Sequence, residues 1–459
     1  MRASQKALWN LLQSLRKKSK IKELKQAGLP PVFYIGDIMN KLNAFLKKHG
    51  MLPEDTVPSI EAPKMAEEMK KGLREEDCSL PMIPTYLGPA SKIEEGKTAA
   101  VIDAGGTNFR SALVKFTGEN YIVENLKKTK MPGTESPVEW DEFISFTADE
   151  IMPLMDKTDR IGFCFSYSAD ITPEIDGKVR SIDKEVVIRH SEGKLVGKSL
   201  NEELQRRGIF GKKIFIINDT AAVMLGGASV LDGNKYESFL AQVSGTGTNT
   251  CLPIKEKNIP KLKLNSEREM IVNTESGMYD GLPMGDFDKI LDINSKNPGL
   301  KHFEKMTAGV YLGTLCSYML EAACKEGLIS NESLMLLNET EKIDGAVLDA
   351  WSCGEKLDEL CEDDRKFVKE LCAALFCRSA RFMCTDLGAL MLTNGTGKNP
   401  QKPVCICAEG SLVQKSRVYR PELEKLIDVY LRKQLGLNAV LLPVEESTLP
   451  GSAAAALLN

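Results

Sequence analysis

Two short glycine–threonine segments have the composition of phosphate-binding turns. The first is Gly105–Gly106–Thr107 and the second is Gly245–Thr246–Gly247, and each follows an apolar run with the length of a β-strand. Such a turn can present several backbone N–H groups to one phosphate, because glycine permits close approach and threonine adds a hydroxyl donor. One such turn could equally be an ordinary hairpin turn. Two turns in matching contexts predict a pair of loops that bind one polyphosphate from both sides.

An aspartate at the end of another apolar run is the candidate catalytic group. Residues 214–217 have the pattern of a buried strand, and Asn218, Asp219 and Thr220 follow it directly. Ligands of α/β proteins bind at the carboxyl ends of strands. A partly buried carboxylate there can accept the proton of an attacking hydroxyl group. The alternative is an aspartate that only caps a helix over residues 221–231.

Asp103 ends the strand that precedes the first glycine turn. A carboxylate beside bound phosphates could hold a hydrated magnesium ion, which binds few protein ligands directly and keeps its waters. A turn-capping aspartate is the alternative interpretation. The sequence therefore predicts a magnesium contact through water and no direct metal ligand.

Two other segments look functional but lack the required spacing. Residues 394–398 contain Gly-Thr-Gly-Lys, yet Asn399 and Pro400 follow where a nucleotide-binding P-loop needs Ser or Thr and the start of a helix. We expect a surface loop there. His302 and Glu304 could suggest a base–acid pair, but helix positions two apart do not face each other.

The elements that position these residues fall into two similar halves. The predicted strands of the first half are 98–102, 111–116, 121–123, 161–165 and 214–217. The predicted strands of the second half are 239–243, 250–254, 270–272, 404–407 and 439–442. Long helices are expected over 303–328 and 365–392, and a capping box at Ser199 and Glu202 predicts the start of another helix. Two hairpin-plus-α/β halves imply a duplicated fold with a cleft between the halves.

Composition limits the class of protein. The chain has 459 residues, 42% of them hydrophobic and 27% charged, which predicts a soluble globular protein of two domains. No apolar run approaches the roughly 20 residues that span a bilayer, so no membrane association is expected. The net charge of −4 makes nucleic acid an unexpected partner. The basic run at 16–20 is predicted to be a solvated helix face, or else a contact for an acidic partner.

Cysteine usage indicates the compartment. The twelve cysteines include no C-x-x-C pair and the chain has only three histidines, so no zinc site is predicted. Buried, reduced thiols that act as small hydrophobic side chains are the expected state. Reduced thiols predict a cytoplasmic location.

Eight segments, taken in order, resemble those of the hexokinases, sugar kinases of the actin-like ATPase superfamily. They extend from the region of Lys64 to the C-terminus. The segments are 80–84, 103–110, 162–168, 218–220, 245–249, 273–277, 297–306 and 408–412.

The resemblance implies an α/β fold of the duplicated ribonuclease H-like (actin-like ATPase) type, with two domains flanking a cleft. It implies ATP- and Mg²⁺-dependent phosphorylation of the 6-hydroxyl of a hexose, with glucose as the default and glycolysis as the setting. Asp219 would be the general base. Residues implied in hexose binding are Ser166, Lys184, Asn218, Asn249, Glu275 and Glu304. Residues implied in nucleotide binding are Asp103, Gly105, Gly106, Thr107, Asn108, Arg110, Gly245, Thr246, Gly247, Gly410 and Ser411.

The resemblance also implies domain boundaries. Residues 1–92 would be an N-terminal helical part of a large domain and 219–446 the rest of it. Residues 93–218 would form a small domain, to which 447–459 return. Closure of one domain on the other would exclude water, the competing nucleophile.

Departures from the family pattern concentrate in the implied hexose site. Tyr167 and Ser168 stand where family members usually have Phe-Pro, and Asp183 stands beside Lys184 where they usually have Thr. An acceptor-only carboxylate at Asp183 could pair with that lysine or alter the choice of sugar. Two alternatives follow: a kinase for another hexose or an amino sugar, and a sugar-sensing regulator that no longer turns over.

Overall fold

The computed structural model describes residues 32–89, 92–106, 108–118, 120–182 and 186–459, with side chains from residue 38 onward. The basic run at 16–20, Thr107, Asp183 and Lys184 lie outside these residues. What the sequence predicts for them stays a prediction.

The described chain alternates strands and helices. The strands are β1 (Ile83–Pro84), β2 (Thr98–Ala104), β3 (Asn108–Phe116), β4 (Tyr121–Lys130), β5 (Val138–Glu139), β6 (Arg160–Phe165), β7 (Ser168–Ile171), β8 (Gly177–Ser181), β9 (Ile188–Arg189), β10 (Lys213–Ile217), β11 (Phe239–Ser244), β12 (Thr248–Lys255), β13 (Glu269–Asn273), β14 (Val404–Glu409) and β15 (Ala439–Pro443). The helices are α1 (Val32–Lys48), α2 (Pro58–Arg74), α3 (Trp140–Ile151), α4 (Val196–Arg206), α5 (Asp219–Val230), α6 (Asp286–Ile293), α7 (His302–Thr307), α8 (Gly309–Lys325), α9 (Asn331–Asn338), α10 (Gly345–Ser352), α11 (Glu362–Asn394), α12 (Ser411–Lys415), α13 (Tyr419–Leu426) and α14 (Thr448–Leu458). A π-helical segment, Ile427–Gln434, continues α13.

Two sheets repeat one topology. The N-terminal sheet has the order β10-β6-β2-β3-β4, and the C-terminal sheet has the order β1-β13-β12-β11-β14-β15. In the N-terminal sheet, β2 pairs antiparallel with β3, and β3 with β4. In the C-terminal sheet, β11 pairs antiparallel with β12, and β12 with β13. β2 also pairs parallel with β6, and β6 with β10. In the same way β11 pairs parallel with β14, and β14 with β15. The predicted duplication is thus confirmed, and β1 is an addition to the C-terminal sheet.

Helices α5 and α14 form the layer between the two sheets. α14 packs on α5 and on β2 and β6, while α5 packs on β11 and β14. The strands supply apolar residues to both faces, because successive side chains alternate. In β2, Ala99 and Val101 face this layer, whereas Ala100 and Ile102 face the outer core with α3 and α4. In β14, Cys405 and Cys407 face the layer, as buried free thiols.

Two glycines, which have no side chain, allow α14 to pack closely against α5 and β6. A Cβ atom at Gly451 would come 1.8 Å from the carbonyl oxygen of Ala222 on α5. A Cβ atom at Gly162 of β6 would come 1.9 Å from the carbonyl oxygen of Ser452. Glycine is required at both positions by space rather than by backbone angle. Close packing here fixes the start of α14 beside the ends of β2 and β14.

Two predicted helix boundaries are wrong. α4 begins at Val196, before the predicted capping box, and the hydroxyl of Ser199 instead accepts a hydrogen bond from Nε1 of Trp140 at 3.2 Å. The predicted helix over 303–328 is two helices, because the backbone is extended at Ala308 (φ −78°, ψ 141°). Packing against neighbouring elements overrides a continuous apolar pattern in both cases. Residues 395–398 form a loop directly after α11, as predicted, and Asn394 is the last residue of that helix.

The division into residues 1–92, 93–218, 219–446 and 447–459 stays a prediction. All twelve cysteines are free thiols. Among the residues that the structure describes, no helix is both long and apolar enough to cross a lipid bilayer.

Candidate active site

Asp219 is the first residue of α5, one residue beyond the end of β10. Asn218 caps the helix, with its side-chain oxygen accepting the N–H of Thr220 at 2.9 Å. Oδ1 of Asp219 accepts that N–H at 2.7 Å and the Thr220 hydroxyl at 3.2 Å. Within the described residues, Oδ2 of this half-buried side chain has no hydrogen-bond partner. One carboxylate oxygen is therefore held in place while the other can accept a proton.

The first glycine turn lies between β2 and β3. A Cβ atom at Gly105 would lie 3.6 Å from Oδ1 of Asp103 and 4.0 Å from Oγ of Ser166, whereas one at Gly106 would meet no atom within 4 Å. The N–H of Ser166 donates to the carbonyl of Ala104 at 3.2 Å. Ser166 thus lies beside this turn, and the side of Gly106 that a side chain would occupy is open. An open glycine backbone of this kind suits a phosphate group.

Asp103 and Arg110 form a partly buried ion pair beside the first turn. Nε of Arg110 donates to Oδ2 of Asp103 at 2.9 Å, and Nη2 contacts the same oxygen. Burial acts to lower the pKa of Arg110, but the charge of Asp103 and its hydrogen bonding, with smaller contributions from other groups, together outweigh burial and the pKa is raised. Among the described residues, Oδ1 of Asp103 has no hydrogen-bond partner, so it can accept a hydrogen bond from a metal-bound water. Asn108 is exposed at the start of β3.

The second glycine turn joins β11 to β12 and lies against the segment after β14. The N–H of Gly245 donates to the carbonyl of Gly247 at 3.0 Å, and the Gly245 carbonyl accepts the N–H of Gly309, at the start of α8, at 2.8 Å. A Cβ atom at Gly245 would lie 3.6 Å from both Cα of Gly410 and the backbone nitrogen of Ser411. Thr246 is exposed at the tip. The structure thus brings together the second turn and the predicted adenosine segment.

Gly410 has a backbone that only glycine adopts readily. Its φ is 114°, and a Cβ atom would lie 2.2 Å from the carbonyl oxygen of Ser244. The chain can therefore leave β14 directly beside the second turn.

Ser447 and Thr448 connect the residues beside the first glycine turn to a residue beside the second. The N–H of Ser447 donates to Oε2 of Glu409 at 3.2 Å, and its hydroxyl contacts the same oxygen. The hydroxyl of Thr448 accepts Nη2 of Arg110 at 2.8 Å and lies 3.5 Å from Oδ2 of Asp103. Because Asp103 precedes the first turn and Glu409 precedes Gly410, the start of α14 lies between the two turns. Sequence spacing carries no signal for this connection.

Asn249 and Glu275, both predicted hexose contacts, are joined through Asn273. Nδ2 of Asn249 donates to Oδ1 of Asn273 at 2.8 Å, and Nδ2 of Asn273 donates to Oε1 of Glu275 at 2.7 Å. The backbone of Glu275 is in the left-handed region, with φ of 55°. Sequence analysis assigned no role to Asn273, although a polar residue at the end of a buried strand is a usable signal.

Glu304 lies next to the same network. Its Oε2 accepts the N–H of Thr248 at 3.3 Å, and its Oε1 is 3.9 Å from Nζ of Lys301. The charge of Lys301 also reaches Glu275, where it acts to lower the pKa of the carboxyl group. Lys301 therefore adds a positive charge that sequence analysis missed. His302 is directed to Asp292, with its Nε2 at 3.6 Å from Oδ1, and is no partner of Glu304.

The charge of Asp219 acts on one carboxyl group beside the predicted hexose contacts and on one beside the predicted nucleotide contacts. Burial raises the pKa of Glu275, the hydrogen bond from Asn273 opposes the rise, and the charges of Asp219 and Glu304 add to it. Burial also raises the pKa of Glu409, where Ser447 and Arg110 oppose the rise and Asp219 adds to it. Asp219 is thus close enough to influence a carboxyl group beside each of the two sets of predicted contacts. In the described residues, no cluster of three or more His, Cys, Asp or Glu side chains could hold a metal directly.

Comparison with known proteins identifies the family. Two family models described as hexokinase match residues 42–229 and 239–458, which together cover most of the chain. The chain belongs to the hexokinase family. As a hexokinase, it is a kinase that phosphorylates a hexose, and its α/β fold is of the predicted actin-like ATPase class.

Relatives match this hexokinase over nearly its whole length. Hexokinase-1 of Schizosaccharomyces pombe is 26% identical over 451 residues, which cover 90% of this chain and 91% of the relative. The hexokinase from Schistosoma mansoni complexed with glucose has a similar fold, with a TM-score of 0.75 and 21% identity over 92% of this chain and 99% of that one. A ROK family glucokinase from Streptomyces griseus, in complex with glucose and AMPPNP, has a TM-score of 0.50 and 14% identity over 78% of this chain and 99% of that one.

Proposed function

We propose that this hexokinase transfers the terminal phosphoryl group of ATP, bound with Mg²⁺, to the 6-hydroxyl of glucose, as in the first step of glycolysis. Asp219 is the proposed general base. The observation that carries the proposal is the position of Asp219 at the start of α5, with Oδ1 held by Thr220 and Oδ2 without a hydrogen-bond partner among the described residues. The charge of Asp219 also acts on Glu275 and on Glu409, which lie in the proposed hexose and nucleotide regions respectively. A base for this reaction has to lie where the two substrates meet.

The proposed hexose contacts are polar groups whose positions are set by one another. Asn249, Asn273 and Glu275 form a hydrogen-bonded row, and Glu304, which lies 3.9 Å from Lys301, accepts the N–H of Thr248 next to Asn249. Such groups favour a sugar whose hydroxyls pair with them, since a missing hydroxyl leaves a buried polar group unpaired. Ser166, Asn218 and Lys184 are the further proposed contacts.

The proposed nucleotide contacts are the two glycine turns. Backbone N–H groups at Gly105, Gly106 and Gly247 would bind phosphate oxygens, while the N–H of Gly245 closes the second turn by donating to the Gly247 carbonyl. Thr107, Asn108, Arg110 and Thr246 are the further proposed nucleotide contacts. Gly410 and Ser411 would border the adenosine. Oδ1 of Asp103 fits a water of hydrated Mg²⁺, whose charge would neutralise the phosphates when it is bound.

During the transfer, the free Oδ2 of Asp219 would accept the 6-hydroxyl proton as the oxygen attacks phosphorus. Thr220 holds Oδ1 through two hydrogen bonds, so the carboxylate keeps its orientation. The contribution of such a base is roughly 10²–10⁴-fold in rate.

An amino sugar stays the alternative substrate. The positive charge of Lys301 would repel a cationic sugar, whereas the carboxylates of Asp219, Glu275 and Glu304 would attract it. The charges of the proposed site therefore do not exclude an amino sugar. A cytoplasmic location stays a prediction, in keeping with free thiols at all twelve cysteines.

The test is ATP consumption in the presence of a hexose panel with Mg²⁺, with the phosphorylated carbon identified by NMR. We expect glucose to give a 6-phosphate, and glucosamine tests the amino-sugar alternative. Hexose binding without turnover of any sugar would contradict the catalytic proposal and support the sensor alternative. Turnover that does not distinguish glucose from 2-deoxyglucose or mannose would contradict the proposed glucose preference.

Tyr167 is expected to support the first turn. Its hydroxyl donates to the carbonyls of Gly105 at 3.4 Å and Gly106 at 3.3 Å. Tyr167→Phe removes this hydroxyl and keeps the ring, so we expect the KM for ATP to rise about 2- to 10-fold, the worth of one hydrogen bond. Steady-state kinetics measure it, with Tyr318→Phe on α8 as the matched control. An unchanged KM for ATP would refute this support role.

A further inference from the structure

Asp386 is a fully buried carboxyl group that the proposed reaction does not use. It lies on α11, which packs against β12, and its exposure is 0%. In the described part of the chain, no lysine, arginine or histidine forms an ion pair with it. Burial raises its pKa to about 7, and the hydroxyls of Ser276 and Thr250 oppose the rise only in part. Acidic residues are rarely buried without a charged partner.

Hydroxyl groups connect Asp386 to the proposed hexose site. Oγ1 of Thr250 lies 3.1 Å from Oδ2 of Asp386 and 2.9 Å from Oγ1 of Thr274. Oγ1 of Thr274 can donate to the carbonyl of Thr250 at 2.8 Å, and it accepts the N–H of Ser276 at 3.1 Å. Thr274 and Ser276 are the neighbours of Glu275, and Thr250 follows Asn249. The chain of hydroxyls therefore fixes the backbone on which both residues stand.

Each hydroxyl has one proton, which sets the direction of this chain. When Asp386 is protonated, it donates to Thr250, Thr250 donates to Thr274, and Thr274 donates to the Thr250 carbonyl. When Asp386 is ionised, the Thr250 proton turns to the carboxylate. Thr274 then has one hydroxyl proton for two acceptors, Oγ1 and the carbonyl oxygen of Thr250, so the chain has one hydrogen bond fewer. Thr274 precedes Glu275, whose left-handed backbone is maintained only where its surroundings hold it.

We propose that Asp386 is a positioning residue, and that its protonated form holds Glu275 and Asn249 in place for hexose binding through Thr250 and Thr274. This inference rests on the proposed hexose site. Among the described residues, the charge of Asp386 acts on the hydroxyls of Tyr279 and Tyr419, and burial raises the pKa of each to about 12. Both stay neutral when Asp386 titrates. Hexose binding should therefore be tightest below about pH 7 and weaken as the pH rises through it.

The experiment compares hexose affinity at pH 6 and pH 8.5, by calorimetry without ATP and by KM. In the parent protein we expect the KM for glucose to rise about 2- to 10-fold, the worth of one hydrogen bond. Asp386→Asn keeps a donor toward Thr250 and cannot ionise, so its KM should stay low at both pH values. Thr250→Val breaks the connection and should show the high KM at both. For each variant we expect kcat and the KM for ATP within twofold of the parent at the same pH.

Thr385→Val is the matched control, since Thr385 is buried on α11 and its hydroxyl donates to the carbonyl of Arg381 within the helix at 3.0 Å. Thermal melting shows whether each variant is folded. A parent KM that is the same at both pH values, or one whose rise persists in Asp386→Asn, would overturn the proposal without depending on Thr250→Val. Equal behaviour of Thr250→Val and Thr385→Val would do the same.

Glu275→Gln separates this inference from the proposed function. If Glu275→Gln leaves the glucose KM unchanged, the hexose site itself is wrong and the role of Asp386 is refuted with it. If Glu275→Gln raises that KM while the Asp386 and Thr250 variants behave as the parent, only the role of Asp386 is refuted.

Discussion

Asp219→Asn is expected to reduce kcat by roughly 10²–10⁴-fold while hexose binding changes little. The substitution keeps an oxygen that can accept both hydrogen bonds from Thr220, so the start of α5 should be preserved. It replaces the proton-accepting Oδ2 with an amide group that cannot act as a base. The measurement is a coupled assay of ADP release, together with calorimetry of hexose binding.

Asp344→Asn is the matched control, since Asp344 caps a helix and has no proposed part in the reaction. Asp344 caps α10 by accepting the N–H groups of Ala346 and Val347, both at 2.9 Å, and is exposed. Asparagine caps a helix about as well as aspartate, so we expect Asp344→Asn to leave both stability and kcat close to those of the parent. If Asp219→Asn likewise retained the kcat of the parent, Asp219 would be only a helix-capping residue and the proposed mechanism would fail.

Arg378→Met is expected to cost about 3–5 kcal/mol of stability, the largest effect on folding that we predict. Arg378 on α11 donates through Nη1 to Oδ1 of Asp288 on α6 at 3.0 Å, and Nη2 contacts the other oxygen. Both side chains are almost fully buried, 4% and 1% exposed. Removing the arginine leaves a buried carboxylate whose remaining bond is to the N–H of Gly285 at 2.7 Å.

A double variant tests whether the unpaired charge is the cause. Arg378→Met combined with Asp288→Asn removes both charges, so we expect it to melt above Arg378→Met alone. The measurement is thermal denaturation of the three variants and the parent. If the double variant were less stable than Arg378→Met, lost packing rather than the unpaired carboxylate would explain the effect.

Much of the fold follows from local patterns. The order of apolar runs, glycine turns and helical segments predicts each of the ten strands in the two repeated halves, because strand length and alternation are short-range properties. β4 and β13 prove longer than predicted, and the break at Ala308 was missed. That break lets the N–H of Gly309 meet the carbonyl of Gly245, which lies far from it in the chain.

Some residues of the candidate site are also indicated by the sequence, and others are revealed only by the structure. Asp219 and the glycine turns stand out because a carboxylate or a glycine–threonine turn at the end of a buried strand is typical of ligand sites in α/β proteins. The family motifs extend this to Glu275, Asn249 and Glu304. Thr448 and Asp386 do not stand out, since each acquires its partners only through packing. Asp386 and Thr250, for instance, are 136 residues apart.

The sequence by itself determined the fold class, the duplication and the residues at the strand ends, since these depend on neighbours within a few positions. Only the tertiary structure decided that the start of α14 joins Asp103 and Arg110 to Glu409. It also decided that a buried carboxyl group lies behind the Asn249–Glu275 row. Contacts between distant segments depend on how helices and sheets pack, and the missing Cβ atoms at Gly162 and Gly451 show how small a change in volume governs that packing.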